Sequence, residues 1–320
     1  MEFHLAVTDT SVEDPIGYKQ AMEDPDKGEW QEAMNQEIES MDSNEVWELV
    51  DLPDGFKTIG CKWVYKRKRG VDGKVETFKA RLVAKGFTQR EGIDFDETFA
   101  PVAKYKSIRI LMAIACSLNY EIWQMDVKTA FLNGYIDENI YMDQPEGFVQ
   151  KGQEGKVCRL LKSIYGLKQA SRSWNLRFDE TIKSYGFIQN ITEACIYKLN
   201  DETVEIFLVL YVDDILLIGT SVKRLSDVKA WLSTQFQMKD MGEASYVIGI
   251  RIFRDRNNRL LALSQAAYID KVLERFAMAN SKGGNLPTRH GVFLSRKQCP
   301  TSPEEQDEMR RIPYASFGIV

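Results

Sequence analysis

Two adjacent carboxylates, Asp213 and Asp214, stand between two short apolar runs and constrain the fold of this chain most. The runs, residues 206–210 and 215–218, are rich in Ile, Val, Leu and Phe, which is typical of strands in a well-covered sheet. No Gly, Asn or Pro lies between the two runs, so none of the residues that usually favour a turn is present there. Neighbouring negative charges are costly to desolvate, so they persist there mainly when a cation neutralises them. The pattern predicts a β-hairpin with acidic residues at its tip, and a solvated turn is the alternative.

A third carboxylate, Asp126, ends another strand-like segment. After it, the alternation of apolar residues gives way to Thr-Ala-Phe-Leu and an Asn-Gly stop, which indicates a tight turn or a short helix. An Asp at the exit of a strand can meet an Asp-Asp pair at a hairpin tip. Three converging carboxylates can hold two Mg²⁺ ions about 3.5–4 Å apart, one activating an attacking hydroxyl and the other stabilising the leaving oxygen. The three acids therefore predict phosphoryl or nucleotidyl transfer.

Charge is distributed unevenly along the chain, and its net value of −5 hides this. Residues 1–56 contain 16 acidic and 2 basic residues, whereas residues 57–85 contain 10 basic and 2 acidic ones. Trp63 and Tyr65 alternate with bases in this second segment, which favours a cationic hairpin that lies along phosphate groups. A solvated charged hairpin is the alternative. Residues 156–183 carry a second basic excess and favour the same kind of partner.

Composition narrows the class of protein. A length of 320 residues suits two domains or one elaborated domain. No apolar run approaches the roughly 20 residues of a membrane span, and no secretory signal precedes the acidic start. The 5 cysteines are dispersed without a Cys-x-x-Cys pair, and His4 and His290 are the 2 histidines. We therefore expect reduced, mostly buried intracellular thiols, with no disulfide framework, zinc site or histidine-based triad.

Periodicity predicts a strand, a helix, a strand pair and a second helix around the three carboxylates, which is an α+β arrangement. An acidic amphipathic helix carrying Trp30 precedes them, and we expect it to pack outside the catalytic unit. Ser107 is expected to cap the helix before the Asp126 strand. Residues 246–264 predict a hairpin of two strands, and the polar, proline-containing chain after residue 283 predicts a loop or linker.

Three motifs follow one another along the chain. They are Asp-Val-Lys-Thr-Ala-Phe-Leu-Asn-Gly at residues 126–134, Ser-Ile-Tyr-Gly-Leu-Lys-Gln-Ala-Ser-Arg-Ser-Trp at residues 163–174, and Tyr-Val-Asp-Asp at residues 211–214. In this order and spacing they resemble the reverse transcriptase of copia-type long-terminal-repeat retrotransposons. Further matching segments extend the resemblance from about Trp30 to Tyr314. It implies an α+β right-hand polymerase fold with fingers, a ferredoxin-like palm and the start of a thumb.

The resemblance also implies a domain organisation. Residues 1–56 would form an acidic N-terminal extension with its amphipathic helix, and residues 57–245 the fingers and the palm with the catalytic carboxylates. Residues 246–286 would form the primer-grip hairpin and thumb, and residues 287–320 a truncated connection. In the family this connection continues into RNase H, whereas the present sequence stops at Val320. We therefore expect no RNase H activity in this chain, which resembles a truncated genomic copy or an excised fragment.

The metal-site roles implied by the resemblance fall on four residues. Asp126 and Asp213 would bind both of two Mg²⁺ ions, for which Mn²⁺ could substitute. Asp214 would contribute more weakly to the same cluster. The main-chain amide of Val127, directly after Asp126, would help to hold the triphosphate of the incoming dNTP.

The nucleotide-binding roles implied by the resemblance fall on four further residues. Lys79 and Arg81 would clamp the triphosphate, since a cation and a planar guanidinium suit phosphate oxygens. Phe131 would lie against the sugar and reject a 2′-hydroxyl by shape, whereas the ordinary role of such a residue is in the core. Gln169 would lie beside the template-paired nucleotide. Ser171 stands where the family often has proline, which leaves the shape of that loop open.

The function implied is RNA-directed DNA polymerase: two-metal transfer of a dNTP onto a primer 3′-hydroxyl. Its partners would be an RNA or DNA template with a primer and dNTPs, without a membrane, and no particular oligomeric state is implied. The expected location is intracellular, in a cytoplasmic retroelement particle. One alternative is a degenerate, non-catalytic remnant that at most binds nucleic acid. Another is a nucleotidyl cyclase on a palm-like sheet, against which the basic excess at residues 57–85 argues.

Overall fold

The structure is a computed structural model that describes residues 13–310 except 71–72, 202–203, 277, 279, 282–290, 292–294 and 296–297. Both histidines and the end of the resembling stretch, up to Tyr314, lie outside the described residues. The chain divides into two compact units. The larger takes in Val12–Ala244 and Arg254–Leu261, and the smaller takes in Ser245–Phe253 and the chain from Ala262 onward. The four-segment division implied by the resemblance stays a prediction.

The described residues contain both helices and strands. The α-helices are α1 (Tyr18–Glu23), α2 (Lys27–Ser43), α3 (Tyr105–Ser117), α4 (Ala170–Ser184), α5 (Val222–Gln235), α6 (Ala266–Arg275) and α7 (Pro303–Arg310). The strands are β1 (Trp47–Val50), β2 (Thr58–Ile59), β3 (Cys61–Arg69), β4 (Val75–Ala84), β5 (Glu121–Val127), β6 (Tyr141–Met142), β7 (Val157–Leu160), β8 (Ile188–Gln189), β9 (Ile196–Asp201), β10 (Val204–Tyr211), β11 (Asp214–Gly219), β12 (Met238–Glu243), β13 (Tyr246–Val247), β14 (Ile250–Asp255) and β15 (Leu260–Ser264). Short 3₁₀ helices span Gly86–Thr88 and Ala130–Asn133.

A six-stranded sheet in the larger unit carries the three predicted carboxylates. Its strand order is β12-β5-β11-β10-β9-β8, and its neighbouring strands are antiparallel. The buried residues of β10 and β11 share one hydrophobic core with Trp174 and Phe178 of α4 and with Leu225 and Leu232 of α5. Apolar strands and helices with one apolar face pack in this way because each can bury its apolar side against the other. The result is a mixed α/β unit.

The predicted N-terminal helix is confirmed as α2, but it is part of the protein core. Trp30 is fully buried, with its ring 5.2 Å from that of Tyr65 in β3 and 4.7 Å from that of Phe78 in β4. Met34, Met41, Trp63 and Leu82 belong to the same core. The helix was expected to pack outside the catalytic unit. Instead it belongs to the same compact unit as the three carboxylates and shares a core with β3 and β4.

The acidic start is tied to the hairpin by one arginine. Arg67 in β3 is only 3% exposed through its side chain and pairs with Asp24 at 2.8 Å and Asp26 at 3.1 Å. Its guanidinium carbon lies 4.9 Å from the centre of the Trp30 ring, and its amide donates to Asp14 at 2.9 Å. Acidic and basic segments that are separate in the sequence therefore neutralise each other partly within the fold.

Two helix beginnings differ from the prediction. The helix before β5 begins at Tyr105 after Lys104, so Ser107 lies inside it and donates instead to Glu193 at 2.8 Å. The C-terminal linker contains helix α7, which was not predicted. It begins with a capping box, because the Glu305 amide donates to the Ser302 hydroxyl at 3.2 Å and the Ser302 amide donates to the Glu305 carboxylate at 3.1 Å.

Residues 246–264 form three strands in the order β13-β14-β15, not the two strands predicted. Ile248 and Gly249 form a two-residue turn between β13 and β14, with φ angles of 51° and 70°. Positive φ at both central positions is the geometry of a type I′ hairpin turn, and Gly249 adopts it without steric cost. Because Ile248 is apolar, the sequence pattern of this segment is that of one continuous strand and does not indicate the turn.

Two further observations concern membrane-spanning helices and cysteines. No helix among the described residues has the length and apolar content needed to cross a membrane. All five cysteines are free: Cys158 and Cys195 are buried, Cys61 and Cys116 are half-buried, and Cys299 is exposed.

Candidate active site

Strand register brings the predicted carboxylates together. Asp126 near the end of β5 lies directly opposite Asp214 at the start of β11. Directly opposite residues of an antiparallel pair project from the same face, with Cβ atoms about 4.5–5.5 Å apart. Asp213 lies beside them in the turn between β10 and β11, where Tyr211 pairs with Asp214. The predicted acidic hairpin tip and its meeting with Asp126 are confirmed.

The hairpin turn is strained and is held from two sides. Val212 has a φ of 58°, which is an unfavourable conformation for a β-branched residue and is typical of functional sites. The indole N–H of buried Trp174 donates to the Val212 carbonyl at 2.6 Å. On the other side, the Val127 amide donates to the Asp213 carbonyl at 2.9 Å. The tip lacks residues that favour a turn. Hydrogen bonds from neighbouring elements therefore hold the acidic residues at the tip.

The Val127 amide has a partner within the protein, and its role at the triphosphate stays a prediction. Its amide was expected to hold the triphosphate, but it already donates to Asp213 across the strand pair. The next amide, that of Lys128, donates to the Gln237 carbonyl at 2.9 Å. An N–H group carries one hydrogen and cannot serve a phosphate without giving up its present partner. Val127 therefore positions the turn in this structure.

The donor set suits a hard divalent cation, since Mg²⁺ prefers oxygen ligands and is bound through one or two carboxylates together with substrate phosphates. The register of Asp126 and Asp214 fits such a site. However, within the part of the chain that the structure describes, no group of three or more acidic, histidine or cysteine side chains is arranged to hold a metal. Asp214 accepts a hydrogen bond from the side-chain amide of Gln124 at 2.9 Å.

Lys79 and Arg81 are both exposed and lie on the same face of β4. Lys66 of β3 lies directly opposite Lys79, and Lys68 is the next exposed base on that face of β3. Burial lowers the pKa of Lys79, and the charges of Lys68 and Arg81 lower it further, while Asp126 opposes this. Like charges placed opposite each other are unfavourable, and Lys66 forms an ion pair with Asp14 at 3.1 Å. Sequence reasoning identified Lys79 and Arg81 but not Lys66 and Lys68.

Tyr165 connects the cationic strand to the carboxylates. The Arg81 guanidinium carbon lies 4.8 Å from the centre of the Tyr165 ring, and the Phe131 ring meets the same ring edge-to-face at 5.4 Å. Burial raises the pKa of Tyr165 to about 12; Asp213 and Asp126 add to the rise, and Arg81 opposes it. Arg81 and Phe131 therefore both contact the Tyr165 ring, so the residue predicted for the clamp and the residue predicted for the sugar contact lie on one side chain.

The loop carrying Tyr165 is fixed against β4. The Ala84 amide donates to the Tyr165 carbonyl at 2.8 Å. Gly166 has a φ of 90°, and a Cβ atom there would lie 2.2 Å from the Ala84 carbonyl oxygen. Only glycine permits this approach of two backbones. Tyr165 and Gly166 of the central sequence motif therefore hold their loop against strand β4 of the basic hairpin.

Phe131 is half-buried and lies in the 3₁₀ helix after β5, where it packs against both hydrophobic cores. Its carbonyl accepts a hydrogen bond from the hydroxyl of buried Ser163. Gln169 is only 3% exposed; its amide donates to the Asp94 carbonyl at 2.9 Å and accepts from Gln89 at 3.1 Å. Its side chain is therefore occupied by protein groups and is not presented to a nucleotide in this structure.

Two further charged residues near the site were missed by sequence reasoning. Glu37 of α2 is 8% exposed and accepts a hydrogen bond from the Leu82 amide at 3.2 Å. Burial raises the pKa of Glu37 to about 7, opposed by the Leu82 bond and by Arg81 and Lys79. In the sequence, the position of Glu37 on the apolar side of an amphipathic helix was the one sign that this residue is unusual. Lys239 of β12 lies directly opposite Asp126, a position visible only from strand pairing.

Comparisons with known proteins identify the family of this chain. The sequence model of the family described as reverse transcriptase (RNA-dependent DNA polymerase) matches residues 44–290. The chain therefore belongs to the reverse transcriptase family.

Two plant relatives narrow the assignment. The chain is 46% identical over 95% of its length to the retrovirus-related Pol polyprotein from transposon TNT 1-94 of Nicotiana tabacum. It is 37% identical over 92% of its length to the corresponding polyprotein from transposon RE1 of Arabidopsis thaliana. It spans 23% and 20% of the length of these relatives. It is the reverse transcriptase domain of a copia-type transposon Pol polyprotein, as the sequence motifs indicated.

A structure of apo telomerase from Candida tropicalis, truncated from its C-terminal domain, aligns with 73% of this chain and 60% of that chain. The sequences are 11% identical in the alignment, and the TM-score of 0.38 is too low to establish a common fold.

Proposed function

We propose that this chain is an active RNA-directed DNA polymerase that transfers a nucleotidyl group from a dNTP onto a primer 3′-hydroxyl. The observation that carries the proposal is the strand register that sets Asp126 opposite Asp214, with Asp213 in the adjoining turn. A strained turn held by Trp174 and Val127 supports it, because such strain is characteristic of functional sites.

In the proposed site, Asp126 and Asp213 hold two Mg²⁺ ions, and Asp214 contributes more weakly. Bound divalent ions lower the pKa of an attacking hydroxyl and stabilise the leaving oxygen. The carboxylates supply the negative charge and the hard oxygen donors that such ions require. Closure of the three acids into one site would follow when ions and substrate phosphates neutralise their mutual repulsion.

In the same proposal, Lys79 and Arg81 bind the triphosphate oxygens of the incoming dNTP. Lys66 and Lys68 extend this cationic face along β3, on the strand that pairs with β4. The Tyr165 ring packs against the Arg81 guanidinium and limits the rotamers available to it. An ordered guanidinium loses less entropy on binding a phosphate, which favours tight and directional contacts.

We further propose that the Phe131 ring lies against the deoxyribose and excludes a 2′-hydroxyl. Its ring contact with Tyr165 fixes it near the clamp, and the bond from Ser163 fixes its backbone. Gln169 would act through the loop that it ties to residues 89 and 94, shaping the nucleotide pocket without direct contact.

In polymerase terms, we propose that the six-stranded sheet is a ferredoxin-like palm and that β3 and β4 belong to the fingers. Residues 246–286 would supply the primer grip and the start of a thumb, and residues 287–320 the connection. The exposed bases of β3 and β4 support binding of a template with its primer, because neutralised phosphates release counterions.

The test is primer extension on RNA and DNA templates with Mg²⁺ or Mn²⁺. We expect Asp213→Asn to abolish extension while the affinity for template-primer stays within a few-fold, because affinity comes largely from phosphate neutralisation. Asp227→Asn, on the exposed face of α5, is the matched control and should extend at the parent rate.

Extension by Asp213→Asn near the parent rate would refute the two-metal assignment. Duplex binding by the parent without dNTP incorporation would instead identify a non-catalytic remnant. Turnover of free nucleotide without a primer would identify a cyclase.

A further inference from the structure

Glu37 of α2 is a buried carboxylate to which the proposed polymerase chemistry assigns no role. It is 8% exposed and accepts a hydrogen bond from the Leu82 amide of β4 at 3.2 Å. Leu82 directly follows Arg81, which is proposed to bind the triphosphate. Carboxylates are seldom buried, because removing their charge from water is costly. An ionisable group therefore lies against the backbone of β4 beside the proposed clamp.

Glu37 covers part of the outer edge of β4. Strands β3 and β4 form a two-stranded sheet, so the outer edge of β4 has no partner strand within that sheet. Successive amides of an antiparallel strand point alternately to its two sides. The amides of Leu82 and Ala84 point away from β3, and they donate to the Glu37 carboxylate and to the Tyr165 carbonyl. These two acceptors fix the backbone that directly follows Arg81.

Charged groups of β4 face this carboxylate. Burial raises the pKa of Glu37 to about 7, and the positive charges of Arg81 and Lys79 oppose the rise. Tyr165, whose ring packs on Arg81, also faces Glu37, whose charge adds to the rise that burial gives the pKa of Tyr165. On β3, the hydroxyl of buried Tyr65 donates to a methionine sulfur of α2 at 3.2 Å. The residues three and four positions from Glu37 along α2 are uncharged. The two cations of the clamp therefore balance an ionised Glu37.

We propose that Glu37 is a positioning residue for the triphosphate clamp and that its protonation couples dNTP binding to pH. The carboxylate holds the backbone beside Arg81. A bound triphosphate engages Arg81 and Lys79, so an ionised Glu37 loses part of the charge that balances it and takes up a proton from the solvent. Protonated Glu37 therefore favours dNTP binding, and the affinity should fall as the pH rises through about 7. This inference rests on the proposed function, because it assumes that Lys79 and Arg81 bind the dNTP.

The first experiment measures the KM for dNTP in primer extension from about pH 6 to about pH 8.5, for the parent, Glu37→Gln and Glu37→Met. The parent KM should rise about five-fold over this range, since a change of one pKa unit on binding corresponds to about ten-fold in affinity. Glu37→Gln keeps an acceptor for the Leu82 amide without the charge, so its KM should stay near the low value of the parent at every pH. Glu37→Met matches the side chain in length but offers only a weak acceptor, so its KM should be raised at every pH.

A second measurement does not depend on catalysis. Binding of inorganic tripolyphosphate is followed by isothermal titration calorimetry near pH 7.5, in two buffers that differ in their heat of ionisation, which gives the number of protons taken up. The parent should take up more protons per bound tripolyphosphate than Glu37→Gln, in which this position cannot titrate. Glu39→Gln, on the exposed face of α2, is the matched control and should follow the parent in both measurements.

The outcomes distinguish the two proposals. A parent that extends no primer but takes up a Glu37-dependent proton with tripolyphosphate refutes the polymerase function alone. A parent that extends primers, with the same KM profile and proton uptake as Glu37→Gln, refutes only the role of Glu37. Equal KM values for Glu37→Gln and Glu37→Met would overturn the positioning role, because the bond to Leu82 would then have no effect. A parent that neither extends primers nor binds tripolyphosphate refutes both.

Discussion

Replacing Phe131 by valine separates a sugar-selecting role from a core role. The ring is half-buried and makes an edge-to-face contact with Tyr165 at 5.4 Å. Loss of that contact costs about 0.5–1.5 kcal/mol beyond the buried area. A fully buried Phe truncated to Ala costs about 3–5 kcal/mol, so a half-buried Phe cut to Val should cost about 2 kcal/mol. For a protein of this size that corresponds to a fall of a few degrees in melting temperature.

Selectivity should change much more than stability. A 2′-hydroxyl that clashes with the ring meets a barrier larger than the ~1–3 kcal/mol that one missing methylene supplies. The ratio of kcat/KM for dNTP over rNTP should therefore fall at least about ten-fold in Phe131→Val, with much of the dNTP activity retained. Phe187→Val is the matched control, because this buried ring packs in the core of the carboxylate-bearing sheet. It should lower the melting temperature without changing the sugar ratio. A lowered melting temperature with an unchanged ratio in Phe131→Val would refute the reasoning.

Three further predictions concern charged groups. Arg81→Ala should raise the KM for dNTP and slow turnover, since a lost phosphate contact costs about 1.5–3 kcal/mol, and unchanged dNTP kinetics would place the clamp elsewhere. Arg67→Met should cost about 3–5 kcal/mol in urea unfolding, because it leaves Asp24 buried without its cation; a cost below about 1 kcal/mol would contradict this. Glu37 has a folded pKa raised to about 7, so its stabilising contribution is complete below about pH 4.5 and is lost as the pH rises through 7. Glu37→Gln keeps an acceptor for the Leu82 amide and should therefore gain up to about 3 kcal/mol on the parent between pH 5 and pH 8. A pH-independent difference in unfolding free energy would refute that assignment.

Local patterns were sufficient for much of the fold and for the identity of the acids. The apolar runs around Asp213 and Asp214 predicted β10 and β11, and the basic alternation predicted the hairpin of β3 and β4. The helical spacing of Trp30 predicted α2. These elements were accessible because strand and helix periods are properties of a few consecutive residues. The turn at Ile248 and helix α7 were missed because a single apolar turn residue and a short polar helix leave little periodic signal.

The sequence by itself determined the family to which the chain belongs and predicted which residues would carry the chemistry. Only the tertiary structure decided which partners those residues have. The bond from Gln124 to Asp214 spans 90 positions, and the contact of Arg81 with Tyr165 joins a strand to a distant loop. The Val127 amide, which was predicted to hold phosphate, donates to the Asp213 carbonyl across the strand pair. Such pairings depend on strand register, in which a shift of one residue moves every side chain to the opposite face, and no local pattern specifies that register between distant segments.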